Sequence, residues 1–171
     1  TVLGTYGLAV SLPNVTMVDN ERDLDKVARR LEGARRFTVD SESNSLYVYR
    51  EKVCYVQIGC GDDVFLIDTV AVRHLKPLLP FFADDAIVKV LHGADYDVSC
   101  MGRDFDVEFR GLFDTHVAAH MIGHERLGLA SLVSHYFDVE LDKSKTTHDW
   151  GRRPLDKGYV HYLVDDVVFL E

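Results

Sequence analysis

The chain has 171 residues, with 19 Lys and Arg, 28 Asp and Glu, 8 His and 3 Cys, the length of one domain with room for a sizeable core. Apolar residues make up 47% and charged ones 27%, as in an ordinary globular protein, and no run approaches the 18 apolar residues of a membrane-spanning helix. The net charge of −9 excludes a domain that holds nucleic acid by being basic all over, but it is compatible with a carboxylate site that holds cations.

Thr1–Pro13 lacks the basic stretch and cleavage pattern of a signal peptide. Asp19 and Asn20 offer N-caps for a helix running to about Glu32, with Leu24, Val27, Ala28 and Leu31 as its apolar stripe and Gly33 as its stop. Phe37–Asp40 reads as a buried strand, followed by Val53–Ile58 and Val64–Ile67 on either side of a Gly59–Asp63 turn signal. Helical periodicity returns at Val72–Phe82, interrupted by Pro77 and Pro80, and Ile87–Leu91 has the β-branched, apolar character of an interior parallel strand. Ala94–Arg103, Thr115–Ile122 and Leu129–Tyr136 read as helices, residues 142–158 as irregular, and Tyr159–Leu170 as a last amphipathic helix. Early strands followed by mostly helices predict an α/β domain, a mixed sheet with helices on its faces. Cys54, Cys60 and Cys100 are odd in number and show no C-x-x-C spacing. They read as buried thiols of a protein in a reducing compartment, the cytoplasm.

Three places carry paired or clustered acids. In Phe37-Thr38-Val39-Asp40-Ser41-Glu42 the two carboxylates are two apart, so on a strand they share one face. Such a pair repels unless one member is protonated or a cation lies between them, and hard oxygen donors select Mg²⁺, Mn²⁺ or Ca²⁺. Read alone, the segment is also a strand running into a solvated acidic turn. In Val90–Asp97 a strand leads into a helix whose first turn holds Asp95 and Asp97, either of which would suit the helix dipole. Tyr162 and Asp166 are four apart and share a helix face, while Asp165 points elsewhere.

In order and spacing these segments resemble the DEDDy group of 3′-to-5′ exonucleases, ribonuclease D and its eukaryotic exosome-associated relatives. The carriers are F-T-V-D-S-E at 37–42, V-L-H-G-A-D-Y-D-V at 90–98 with L-F-D-T at 112–115, and Y-L-V-D-D-V at 162–167. E-K-V-C-Y-V-Q-I at 51–58, F-L-I-D at 65–68 and V-E-L-D-K-S-K-T-T-H-D-W-G-R-R-P-L at 139–155 are similar too. The resemblance implies a ribonuclease H-like fold, a mixed five-stranded sheet flanked by helices, in a single domain over 1–171 with its motifs in about 20–171. No helical domain of the HRDC type is expected after it.

By the same resemblance Asp40, Glu42, Asp97 and Asp166 are the metal carboxylates for two divalent cations, Mg²⁺ or Mn²⁺, with Asp97 preferred to Asp95 because it lies five residues after His92. Asp40 would bridge both ions and Tyr162 would orient the attacking water. Its phenol, with an ordinary pKa of about 10, is a poor base near neutrality. Substrate contacts are expected from His92, Tyr47, Lys143, Lys145, Arg152 and Arg153, the last four in a locally basic stretch. Tyr47, Tyr49 and Arg50 would stack on the terminal nucleotide or else pack, and Trp150 reads as structural.

His116, His120 and His124 have i, i+4 spacings suited to a metal on a continuous helix, but H-E-x-x-H is missing and packing is the plainer reading. The implied activity is hydrolysis of an RNA single-stranded 3′ end, as in transfer RNA processing, with no membrane and no obligate protein partner. A DNA exonuclease of the same group and an inactive RNA-binding scaffold are the alternatives. Retention of all four acids and Tyr162 speaks against the scaffold.

Overall fold

The structure, a computed structural model, describes residues 2–3, 9–10, 13–142, 144 and 147–170. Its main sheet has six strands: β1 Asn14–Val18, β2 Arg36–Ser43, β3 Val53–Cys60, β4 Asp63–Asp68, β5 Val88–Leu91 and β6 Leu112–Asp114. Their spatial order is β1-β4-β3-β2-β5-β6. The pairs β1/β4, β2/β5 and β5/β6 are parallel; β3 is antiparallel to both β2 and β4. The sheet is therefore mixed, as expected, but it has six strands where five were implied. Its two edges explain why they escape a pattern reading: β1 buries only Val18, and none of the three residues of β6 is buried. A further two-residue ladder pairs Val2–Leu3 with Ala9–Val10.

Helix α1, Glu21–Leu31, starts where Asn20 accepts a hydrogen bond from Asp23 N, satisfying one of the orphan donors of a helix start. It buries Leu24, Val27 and Leu31, each such side chain stabilising the fold by about 1.5–3 kcal/mol. The prolines divide the next stretch into α2 Thr69–Val72, a 3₁₀ turn Lys76–Leu78 and α3 Leu79–Phe82. A proline ring removes one N–H and clashes within a helix interior, so short pieces replace one helix. Then come α4 Asp95–Phe105, α5 Thr115–Met121, α6 Leu129–Phe137 and α7 Lys157–Val168.

The strand alternation divides the core in two. Val39, Val56, Ile58, Phe65 and Ile67 meet α1 and α4 on one face. Tyr55, Val64 and Leu66 meet Trp150, Leu163 and Val167 on the other, beneath α7. Gly111 lets β6 reach β5: its φ is +61°, and a Cβ there would lie 2.8 Å from Ile87 O, a conformation and a closeness that only glycine tolerates.

Candidate active site

Asp40 and Glu42 lie two apart on β2, on the face covered by α7, because their neighbours Val39 and Ser41 alternate to the α4 side. Helix α7 begins at Asp156, whose carboxylate accepts from Gly158 N at 2.8 Å. Its apolar residues Leu163 and Val167 hold it on the sheet, and that docking turns Asp166, 6% exposed, toward β2. One carboxylate oxygen each from Asp40, Glu42 and Asp166 lies within 4.8 Å of the others. Among the described residues no other trio of His, Cys, Asp or Glu is so gathered. Three ionised carboxylates at this spacing repel by about 3–4 kcal/mol per pair at an effective dielectric near 20. An all-oxygen trio of this kind fits a hard divalent cation such as Mg²⁺ or Mn²⁺.

Asp97 stands beside this trio rather than in it. It projects from the first turn of α4, where Ser41 Oγ donates to its Oδ1 at 2.5 Å. It is 7% exposed, and burial pushes its carboxyl up to about 6, against the pull of Ser41 and of backbone donors, with the charge of Asp114 adding to the rise. Asp95, its rival in the sequence, is exposed on the same turn.

The turn that carries Asp97 is held by Asp114, which accepts from Gly93 N at 2.9 Å and Ala94 N at 2.8 Å and caps α5 through His116 N and Val117 N. Burial raises this carboxyl, but the four backbone donors outweigh it and hold it below the usual range. Asp114 is a site residue whose role sequence reasoning missed. An Asp ahead of a helical stripe is the signal that could have found it. His92 joins the same knot: Thr115 Oγ1 donates to Leu91 O and so accepts from His92 Nδ1–H at 2.9 Å, which leaves Nε2 as the other face of the ring.

Tyr162 sits one turn before Asp166 on the buried side of α7, 7% exposed, with its ring 5.6 Å from that of Trp150. Trp150 is structural, as expected. It is buried against Tyr55 and Tyr159, and His148 stacks on Tyr159 at 3.8 Å. This aromatic group anchors the irregular segment ahead of α7 beside the carboxylates.

The expected basic strip fares differently. Arg153 turns inward: its guanidinium grips Asp68 at 2.5 and 2.6 Å, donates to Trp150 O and Cys54 O, and lies 4.3 Å over the Tyr55 ring. Its place among the substrate cations is therefore corrected to a structural one. Asp68 is far away in sequence, so a charge count over 143–157 cannot reveal the pairing. Arg152 remains exposed and, with Tyr47, Thr147, Asp149 and Tyr159, lines a polar cleft of about 490 Å³. Tyr47 OH donates to Thr147 O across it. Tyr49 and Arg50 are exposed nearby. Lys143 and Lys145 lie outside the described residues.

The histidine spacing builds no metal site of three among the described residues. Helix α5 ends at Met121, so His124 leaves the face of His116 and His120 and meets Tyr136 OH at 2.5 Å. No helix is long and apolar enough to cross a membrane among the described residues, and the three cysteines are buried and form no disulfide among the described residues.

Comparison with known proteins agrees with this fold. The family described as 3′-5′ exonuclease matches residues 15–171. The "Exosome complex component 10 homolog" of Caenorhabditis elegans is 34% identical over 157 residues, 91% of this chain and 18% of that one. The "Exosome complex exonuclease RRP6" of Saccharomyces cerevisiae is 34% identical over 154 residues, 90% of this chain and 21% of that one. The chain thus spans about a fifth of the length of these relatives. Among solved structures, the catalytic core of RRP6 from Trypanosoma brucei superposes with a TM-score of 0.89 at 34% identity, covering 99% of this chain and 47% of that one. Escherichia coli RNase D, "an exoribonuclease involved in structured RNA processing", gives 0.85 at 28% identity, covering 92% and 42%. With its fold, its gathered carboxylates and these matches, the chain belongs to the DEDDy-type 3′-5′ exonuclease domain family that RRP6 and ribonuclease D share.

Proposed function

We propose that the chain is a metal-dependent exoribonuclease that removes nucleotides one at a time from RNA 3′ ends, with structured RNAs such as transfer RNA precursors as its substrates. The gathering of Asp40, Glu42 and Asp166 within 4.8 Å beside Tyr162 carries this reading. Two divalent cations, Mg²⁺ or Mn²⁺, held by these three and by Asp97, would acidify a water, neutralise the scissile phosphate and stabilise the leaving 3′ oxygen.

The chain's own groups do the rest. Tyr162, buried against Trp150 and one helical turn from Asp166, holds the attacking water by a hydrogen bond. Ser41 fixes the rotamer of Asp97, and Asp114 fixes the turn that bears it. His92, Tyr47, Arg152, Lys143 and Lys145 are the proposed contacts to the strand, with Tyr47 and Arg152 lining a cleft suited to a single strand. Since the chain as a whole is acidic, with a net charge of −9, binding is expected to be weak and sensitive to salt. The reaction centre lies within this chain, so hydrolysis would need no protein partner. The buried thiols fit a reducing compartment such as the cytoplasm.

The RNA preference follows the likeness to E. coli RNase D, an exoribonuclease involved in structured RNA processing. A 5′-labelled single-stranded RNA with Mn²⁺ should give a ladder of products shortened from the 3′ end, abolished by EDTA. A matched DNA cut at an equal or greater rate would move the assignment to DNA, and binding without a ladder would make the chain a scaffold.

A further inference from the structure

Strand β3 places Gln57 directly opposite Asp40 and Tyr55 directly opposite Glu42. Residues paired in this way project to the same face of an antiparallel ladder, with Cβ atoms about 4.5–5.5 Å apart. Gln57 therefore shares the face of the carboxylate cluster. On its other side it pairs with Leu66, and α7 closes over the face. At Gly59, two residues along, an added Cβ would lie 3.7 Å from Val167 O. Gln57 is 0% exposed, and neither its Nε2 nor its Oε1 has a hydrogen-bond partner among the described residues.

A buried carboxamide unsatisfied at both ends is uncommon in a native fold, and each one calls for an explanation. Packing does not supply it: beside Leu66, on a face whose core is apolar and aromatic, a Leu or Met would fill the same space without a stranded polar group. Its immediate neighbour across the ladder is the Asp40 carboxylate. Ionised, that group only accepts hydrogen bonds and has about four lone-pair sites; the amide nitrogen only donates. The two groups are chemically complementary.

We propose that Gln57 is a positioning residue of the cation site, its Nε2–H donating to the Asp40 carboxylate when cations are held there. The bond fixes the orientation of a carboxylate that must serve more than one partner, and a donor to a charged acceptor is the stronger kind of hydrogen bond. It also places partial positive charge beside three mutually repelling acids. The proposal rests on the nuclease reading above and adds a member to that site which none of the three acid motifs contains.

The test compares the wild-type chain with Gln57→Met, which keeps length and volume but removes both polar atoms, and with Gln57→Asn, which keeps the carboxamide one methylene short. Mn²⁺ affinity is measured by titration calorimetry, thermal unfolding is followed in EDTA, and hydrolysis is measured on labelled RNA. Loss of an outer hydrogen bond to a ligating group weakens metal affinity by about 10–100-fold, and both variants are expected to show that loss. In EDTA, Gln57→Met should unfold at or above the wild-type temperature, because the stranded amide is gone, while Gln57→Asn should show no such gain. Variants that bind Mn²⁺ within twofold of wild type and cut RNA at its rate would overturn the proposal, whatever their stability. Wild-type protein that takes up no Mn²⁺ would overturn the nuclease reading and this proposal with it.

Discussion

The substitution Asp97→Asn separates stability from activity in a way that follows directly from burial. The Asp97 carboxyl is pushed from an ordinary 3.8 to about 6, chiefly by desolvation. Between those values the folded chain keeps a proton that the unfolded chain has released, so without metal the fold loses stability as pH rises through this window. About two pKa units at 1.36 kcal/mol each give a penalty near 3 kcal/mol, small at pH 4 and complete by pH 7. Asn at this position removes the penalty and retains an oxygen to accept from Ser41 Oγ. In EDTA at pH 8 the variant should melt higher, by about 6–12 °C if 1 kcal/mol is worth about 2–4 °C in a chain of this size. Circular dichroism melts of both proteins from pH 4 to 8 measure this difference. It should open with pH and narrow again when Mg²⁺ is added, since the cation compensates the buried charge. A difference that is constant across pH, or a less stable variant at pH 8, would refute the burial argument.

Other outcomes follow from named contacts. Tyr162→Phe should lower kcat by about 100-fold, the scale of loss when a reacting group is no longer held in place, with KM and the melting temperature little changed; single-turnover hydrolysis measures it. Arg153→Ala leaves the largely buried Asp68 carboxylate without its counter-charge and should destabilise the fold by about 3 kcal/mol in urea unfolding, an effect a surface phosphate contact would not show. Gly111→Ala forces a Cβ to within 2.8 Å of Ile87 O at φ +61°; it should lower the melting temperature and loosen β6, read as faster amide exchange at Lys89, whose N–H donates to Gly111 O.

What a linear reading could and could not find follows from the range of the interactions. Helix α1 is legible because its cap, Asn20, and its stripe from Leu24 to Leu31 lie within one short window. The Asp40–Glu42 spacing announces a shared face because strand geometry is local. Choosing Asp97 over Asp95 needed family spacing, and burial separates the two: one is enclosed and the other exposed. The edge strands were invisible because β1 and β6 bury almost nothing. Arg153 was misread because its partner Asp68 arrives through the fold. The meeting of Asp166 with Asp40 and Glu42 is equally nonlocal, created by α7 docking across the sheet.

The central claim is that the acids on β2 and α7 are the reaction centre. The most direct measurement is 3′-end hydrolysis of a labelled RNA by wild type and Asp40→Asn under saturating Mg²⁺ or Mn²⁺, with circular dichroism confirming that both are folded. The account predicts a wild-type ladder that EDTA abolishes and a loss of several orders of magnitude in the folded variant. A folded Asp40→Asn protein that cuts RNA at near the wild-type rate would contradict it.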